Sequence, residues 1–229
     1  MNEKENRKSV FIKEIIGCLI SPRSSFKPIL ANPSLKKATA LILVIAIVAA
    51  WASFNYRAKL PLPDLDQDQR FIMPGQSPAN LGQFTQLIMI MSAVVALIGI
   101  FGTWLISSVL VHGISRPLGG KGAFRNMLTL AGYASAPLLI QHILRLTDSF
   151  LVSPEALQLT TSLQISAGLL LNTIANAAVN IFTIFRIWSI ILFIIATREN
   201  YKMSTAKSTV ATVLSFIIVV FASAFLPLT

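Results

Sequence analysis

Apolar residues gather into five runs with short polar connections between them: Ala38–Tyr56, Leu87–Ile114, Phe124–Leu146, Ala175–Thr197 and Thr205–Leu226. Each approaches or exceeds the ~20 residues that a helix needs to cross a ~30 Å hydrocarbon core. The pattern predicts an all-α integral membrane bundle of five transmembrane helices filling residues 38–229. The second run, about 28 residues or ~42 Å of helix, is longer than the bilayer core, so it tilts or protrudes.

Ahead of the first run, Ser9–Ile20 has a helical period. Phe11, Ile12, Ile15, Ile16, Leu19 and Ile20 fall toward one side, with Lys13, Glu14 and Gly17 opposite. Twelve or so residues are too few to span. They predict an amphipathic helix over about 9–20, lying on the inner leaflet or packed on the bundle and ended by Pro22, within a cytoplasmic segment 1–37. The connection Arg57–Thr85 carries Pro61, Pro63, Pro74 and Pro78 and reads as an extended loop. Ser153-Pro154-Glu155 is a helix start, with Ser as N-cap and Pro in the first turn.

Composition agrees with a lipid solvent. Apolar residues make up 54% of the chain and charged residues only 12%, where soluble domains carry about 25%. The formal charge is +10, but its distribution follows span ends and argues against nucleic acid. One side receives Lys4, Arg7, Lys8, Lys13, Arg23, Lys27, Lys36, Lys37, Arg116, Lys121, Arg125, Arg198, Lys202 and Lys207. The other receives Arg57, Lys59, Arg70 and Arg145. The positive-inside rule then places the amino terminus in the cytoplasm and, after five spans, the carboxyl terminus outside a cell (inner or plasma) membrane. The basic amino-terminal segment suits anionic lipid headgroups.

Polar residues inside the spans are the candidates for function. Asn172, Asn176, Asn180, Thr183 and Arg186 share one arc of the fourth span. They form a partner-docking or polar stripe whose deepest member is Arg186. Arg at the bilayer centre costs ~2.5–3.5 kcal/mol on insertion scales, so it needs a partner or water. No Asp or Glu falls within a span to supply one. The plainer role for the asparagines is helix–helix adhesion at ~0.6 kcal/mol each. In the third span, Gly132, Tyr133, Ser135 and Pro137 mark a helix-packing kink: Pro137 frees a carbonyl that must find a partner on another helix.

Chemistry is hard to place on this chain. One cysteine excludes an internal disulfide and a cysteine metal cluster, and Cys18 reads as a small apolar helix residue. His112 and His142 stand apart and read as interfacial residues. Asp64-Leu65-Asp66-Gln67-Asp68 lacks the central Gly and final Glu of a calcium loop. Gly119-Gly120-Lys121-Gly122 lacks the first Gly and the Ser/Thr of a phosphate loop, and reads as a tight inner turn. With no HExxH, no intramembrane acidic pair and no nucleophile–base couple, the expectation is a non-enzyme without catalytic, cofactor or metal residues.

Several motifs occur in an order that resembles the Yip1 domain family. The opening is Ser21-Pro22-Arg23-Ser24-Ser25-Phe26-Lys27-Pro28-Ile29-Leu30, then Asn32-Pro33-Ser34. Gly119-Gly120-Lys121-Gly122-Ala123-Phe124 and Gly132-Tyr133-Ala134-Ser135-Ala136-Pro137 are similar to its second inner loop and third helix. Trp188-Ser189 and Arg198-Glu199-Asn200-Tyr201-Lys202-Met203-Ser204 with Lys207 are similar to its fourth helix and last inner loop. The resemblance runs over about 21–226, and the short loops suit a bacterial member. Arg186 and the asparagine stripe lie outside the pattern. The resemblance implies five spans, a cytoplasmic amino terminus and no enzymatic activity.

These readings converge on a multi-pass membrane accessory protein. It would dock laterally on other integral membrane proteins, an ABC-type exporter among them, through Gly132–Pro137 and the Asn180–Arg186 stripe. A small-solute transporter or channel running along the stripe is the alternative from another class. A trafficking adaptor is what the eukaryotic relatives imply.

Overall fold

The computed structural model describes residues 3–60, 78–157 and 182–225, which are helical with short turns and, among those residues, no strand. The helices are α1 (Glu3–Ile20), α2 (Pro22–Ala31), α3 (Leu35–Lys59), α4 (Pro78–Ser115), α5 (Phe124–Ala134), α6 (Ala136–Leu151), α7 (Phe182–Tyr201) and α8 (Thr205–Phe225). Three stretches are long and apolar enough to cross a membrane: Leu35–Lys59, Thr85–Ser115 and Phe124–Leu151. Thr205–Phe221 is a shorter apolar helix.

Helix α3 sits at the centre, against α4, α5 and α6; α7 lies along α5 and α6, and α8 packs on α4 and α7. Ile42, Ile45, Met127, Leu130, Tyr133 and Leu192 form the buried middle. Leu87, Ile90, Met91, Ile98, Leu105 and Val109 of α4, by contrast, stay exposed, as lipid-facing residues do when lipid is as apolar as the core.

The helix boundaries depart from the sequence reading in three places. Helix α4 starts at Pro78, not near Leu87, because proline suits a first helical position where its missing N–H is not needed. The third apolar run is two helices, broken at Ser135 and continued to Leu151. Helix α1 starts at Glu3, not near Ser9; it ends at Ile20, ahead of Pro22 as expected, and Pro22 then opens α2, an unforeseen second helix that packs on α1 and reaches α7. The residues of the fourth run before Phe182, the acidic loop at Asp64–Asp68 and the asparagines 172, 176 and 180 lie outside the described residues. At Ser153 the expected cap is present, its hydroxyl accepting the Ala156 N–H at 3.2 Å.

Candidate functional site

Polar side chains gather at three levels of the bundle. The first joins α1 to its middle. Glu14 projects between α3 and α5, where its carboxylate accepts the Tyr133 hydroxyl at 2.7 Å and the Lys37 ammonium at 2.7 and 3.0 Å. The Phe11 ring meets the edge of the Tyr133 ring at 6.2 Å, and Cys18 is wholly buried one turn from Glu14. Burial, and secondarily the Glu14 charge, pushes the Cys18 thiol up to about 12. A carboxylate from outside the spans, Glu14, thus reaches the third span at Tyr133 and also serves Lys37. Glu14 does not lie opposite the apolar face. Phe11, Glu14, Ile15 and Cys18 follow i, i+3, i+4, i+7 spacing and make one stripe. Ile12, Ile16 and Ile20 form a second, outward stripe.

The kink lies directly beside this group. Residues Ala131 to Pro137 are all buried. A Cβ on Gly132 would stand 2.7 Å from the Ala38 Cβ, so glycine is what lets α5 touch α3. The Ser135 hydroxyl donates to the Ala131 carbonyl at 2.9 Å, and Ser189 of α7 donates to the Ala134 carbonyl at 2.9 Å. The break thus finds a partner on another helix, as backbone groups in lipid must. Gly132 is thus occupied by α3, Tyr133 by α1 and the Ala134 carbonyl by α7, while Ser135 and Pro137 are buried.

The second level is the end carrying the basic turns. Gly119 has φ +91°, a left-handed turn that glycine adopts without cost. Gly120 and Gly122 lie so close to Tyr201 and Asn200 that a Cβ would stand 3.0 and 2.6 Å from them. Asn200 Nδ2 donates to the Ala123 carbonyl, Lys207 Nζ to the Leu118 carbonyl, and Tyr201 bonds His112 Nδ1 at 2.7 Å. The two turns form one docked unit. His112 is a half-buried bonding partner in it.

The third level is the opposite end. The Tyr56 hydroxyl donates to Asp148, Lys59 caps the Phe150 and Val152 carbonyls, and the Arg145 guanidinium stands 5.6 Å over the Tyr56 ring. Gln141 and His142 are buried. Arg186 is exposed on α7, and Trp188 is half-buried against the core. No group of three or more His, Cys, Asp or Glu among the described residues could hold a metal.

The order of the motifs and their mutual docking can now be set against known families. A model of the Yip1 domain matches residues 16–226. The chain belongs to the Yip1 domain family. No curated protein and no solved structure matches. In this Yip1 domain the family-like segments are one physical system. The Gly119–Phe124 turn closes on Asn200 and Tyr201, and the Gly132–Pro137 kink closes on Ser189. The matched region begins at Ile16, inside α1, and includes Cys18 with all of α2. The protein is a helical membrane protein of this family. Sequence reasoning missed Glu14 and Lys37, and the heptad-like spacing of Phe11, Glu14, Ile15 and Cys18 was the available signal.

Proposed function

We propose that this Yip1-domain protein is a non-enzymatic accessory protein of a cell membrane. In this reading it crosses five times with its amino terminus in the cytoplasm, and docks laterally on a larger membrane complex. An ABC-type exporter is the complex to test first. Association in lipid relies on close packing at small residues. Those at Gly132 and Ala134 already carry helices of the same chain, so the docking surface moves to α4. There Leu97, Ile98, Phe101, Trp104 and Leu105 rim a shallow apolar notch at Gly102, where a Cβ would meet nothing within 4 Å. That vacant small-residue notch is the observation that supports docking. Helices α1 and α2 fit the inner leaflet: Val10, Ile12, Ile16 and Ile20 are exposed beside Lys13, Arg23 and Lys27, a pairing that suits anionic headgroups.

The test is recovery from membranes in mild detergent, with the co-purifying proteins identified. Gly102→Leu fills the notch and should cut the bound partner severalfold at unchanged expression and insertion. Equal recovery would count against the reading. Solute movement by the purified protein alone in liposomes would replace it with a transporter.

A further inference from the structure

Helices α2 and α7 meet at an open groove toward the basic end. It has a volume of about 460 Å³ and is lined by Ser21, Pro22, Arg23, Ser24 and Ile195. Pro22 and Ile195 make it apolar, and Arg23 brings a charge. Arg23 is exposed and makes no ion pair or hydrogen bond among the described residues. The Ser24 hydroxyl gives its proton to the Ser21 carbonyl at 2.9 Å, which leaves the Ser21 hydroxyl as the groove's second donor.

Ile195 also belongs to a continuous stripe of α7. At 100° per residue, Ile184, Ile187, Ile191, Ile195 and Arg198 fall within an arc of about 80°. Ile184, Ile187 and Ile191 are exposed. Arg198 ends the stripe about one turn beyond Ile195. It is half-buried and, like Arg23, has no ion pair or hydrogen bond among the described residues. Glu199 follows it in sequence but turns about 100° off the stripe. Arg186 lies on the far side of the helical wheel, so no charge interrupts the isoleucines.

Depth fits a lipid molecule. The Ser189–Ala134 bond sets α7 against α5 and brings Arg186 level with Pro137, at the middle of the Phe124–Leu151 span. From that level Ile195 lies about 14 Å and Arg198 about 18 Å toward the basic end, at ~1.5 Å per residue. The edge of a ~30 Å hydrocarbon core is ~15 Å from its midplane. The isoleucines therefore run through one leaflet's hydrocarbon, and Arg198 and the α2 groove fall at its headgroups. We infer that the groove and the stripe bind one anionic phospholipid. Arg23, Arg198 and the Ser21 hydroxyl take the phosphate, to which guanidiniums offer charge and forked donors. Ile184, Ile187, Ile191 and Ile195 take an acyl chain, and this chain contact selects a lipid over a free anion. The inference rests on the inner-leaflet reading of α1 and α2, which it deepens, and is independent of lateral docking.

The full chain, purified in maltoside detergent, is titrated with phosphatidylglycerol, with phosphatidylcholine and with glycerol phosphate, and thermal unfolding is followed. Phosphatidylglycerol should raise the midpoint. Phosphatidylcholine should act about tenfold more weakly, because its choline brings a cation to the arginines. Glycerol phosphate, which has no chain for the stripe, should not act. Arg23→Gln and Arg198→Gln should each raise the half-saturating phosphatidylglycerol concentration about tenfold, and Ile191→Asn should raise it severalfold. Arg116→Gln, beyond the end of α4, should leave it unchanged. Should the half-buried Arg198 not tolerate substitution, the exposed Arg23 and Ile191 decide. No rise with phosphatidylglycerol, an equal rise with either of the other compounds, or a full response in the folded site variants would overturn the inference. The inner-leaflet reading is judged separately, in liposomes, by a lipid-phase quencher acting on a fluorophore at Ile16→Cys in a Cys18→Ser background. Quenching beside a failed titration sinks the site alone, and no quenching sinks the leaflet reading.

Discussion

The Tyr133 hydroxyl joins the bundle to α1 through a charged acceptor, and such bonds contribute about 1.5–3 kcal/mol. Tyr133→Phe should therefore lower the unfolding free energy in detergent by about that amount. Glu14→Gln should cost less, because an amide oxygen still accepts. Cys18 gives a second residue-level check. Its thiol is pushed up to about 12, first by burial and then by Glu14. The folded state thus favours the neutral thiol. That contribution is complete below the unfolded thiol's ~8.5 and declines as pH rises from there toward 12. Maleimide should leave Cys18 unlabelled in the folded protein up to about pH 9, since the thiolate is the nucleophile, and should label it promptly in denaturing detergent. Neither role was legible from residue type. Glu14 reads as solvated next to Lys13 until its spacing from Phe11, Ile15 and Cys18 is counted.

At the scale of elements, apolar run length made three of the spans readable, and the break in the third followed from the segment holding Pro137. The same logic missed α2, because ten residues holding Pro22 and Pro28 carry little helical signal. Its anchor is tertiary, with Phe26 and Ile29 buried against the bundle. The third span shows what a single missing side chain does. Gly132→Leu would drive its Cβ into Ala38, whose Cα is also only 3.1 Å away. Overpacking of this kind costs about 1–3 kcal/mol. The expected result is an earlier loss of the monodisperse peak on heating in size-exclusion chromatography. Ser189→Ala should have a smaller effect, near the ~0.6 kcal/mol average for hydrogen bonds between helices in lipid.

For the molecule as a whole, charge placement gave an orientation that cysteine mapping can check. In a Cys18→Ser background, single cysteines at Lys121 and Lys202 should react with an impermeant maleimide only after the membrane is opened. One at Ser153 should react from outside in intact cells. Labelling of the Lys121 and Ser153 positions from the same side would end the five-span reading. The stripe of the fourth run shows the limit of periodicity. A helical wheel brings Arg186 into line with the asparagines, but gives neither its depth nor its neighbours. Those depend on the register that Ser189 sets against Ala134, a contact between residues 55 apart.

The bond between Glu14 and Tyr133 spans 119 positions of sequence. A ribosome adding ~5–20 residues per second needs about 6–24 s to make that stretch. Glu14 therefore has Lys37 within reach early, 23 residues on, but gains its Tyr133 contact only when the kinked segment has been delivered. Seating of α1 is thus completed from downstream: a nascent chain halted before residue 133 would hold α1 against α2 and Lys37 but without its anchor on α5.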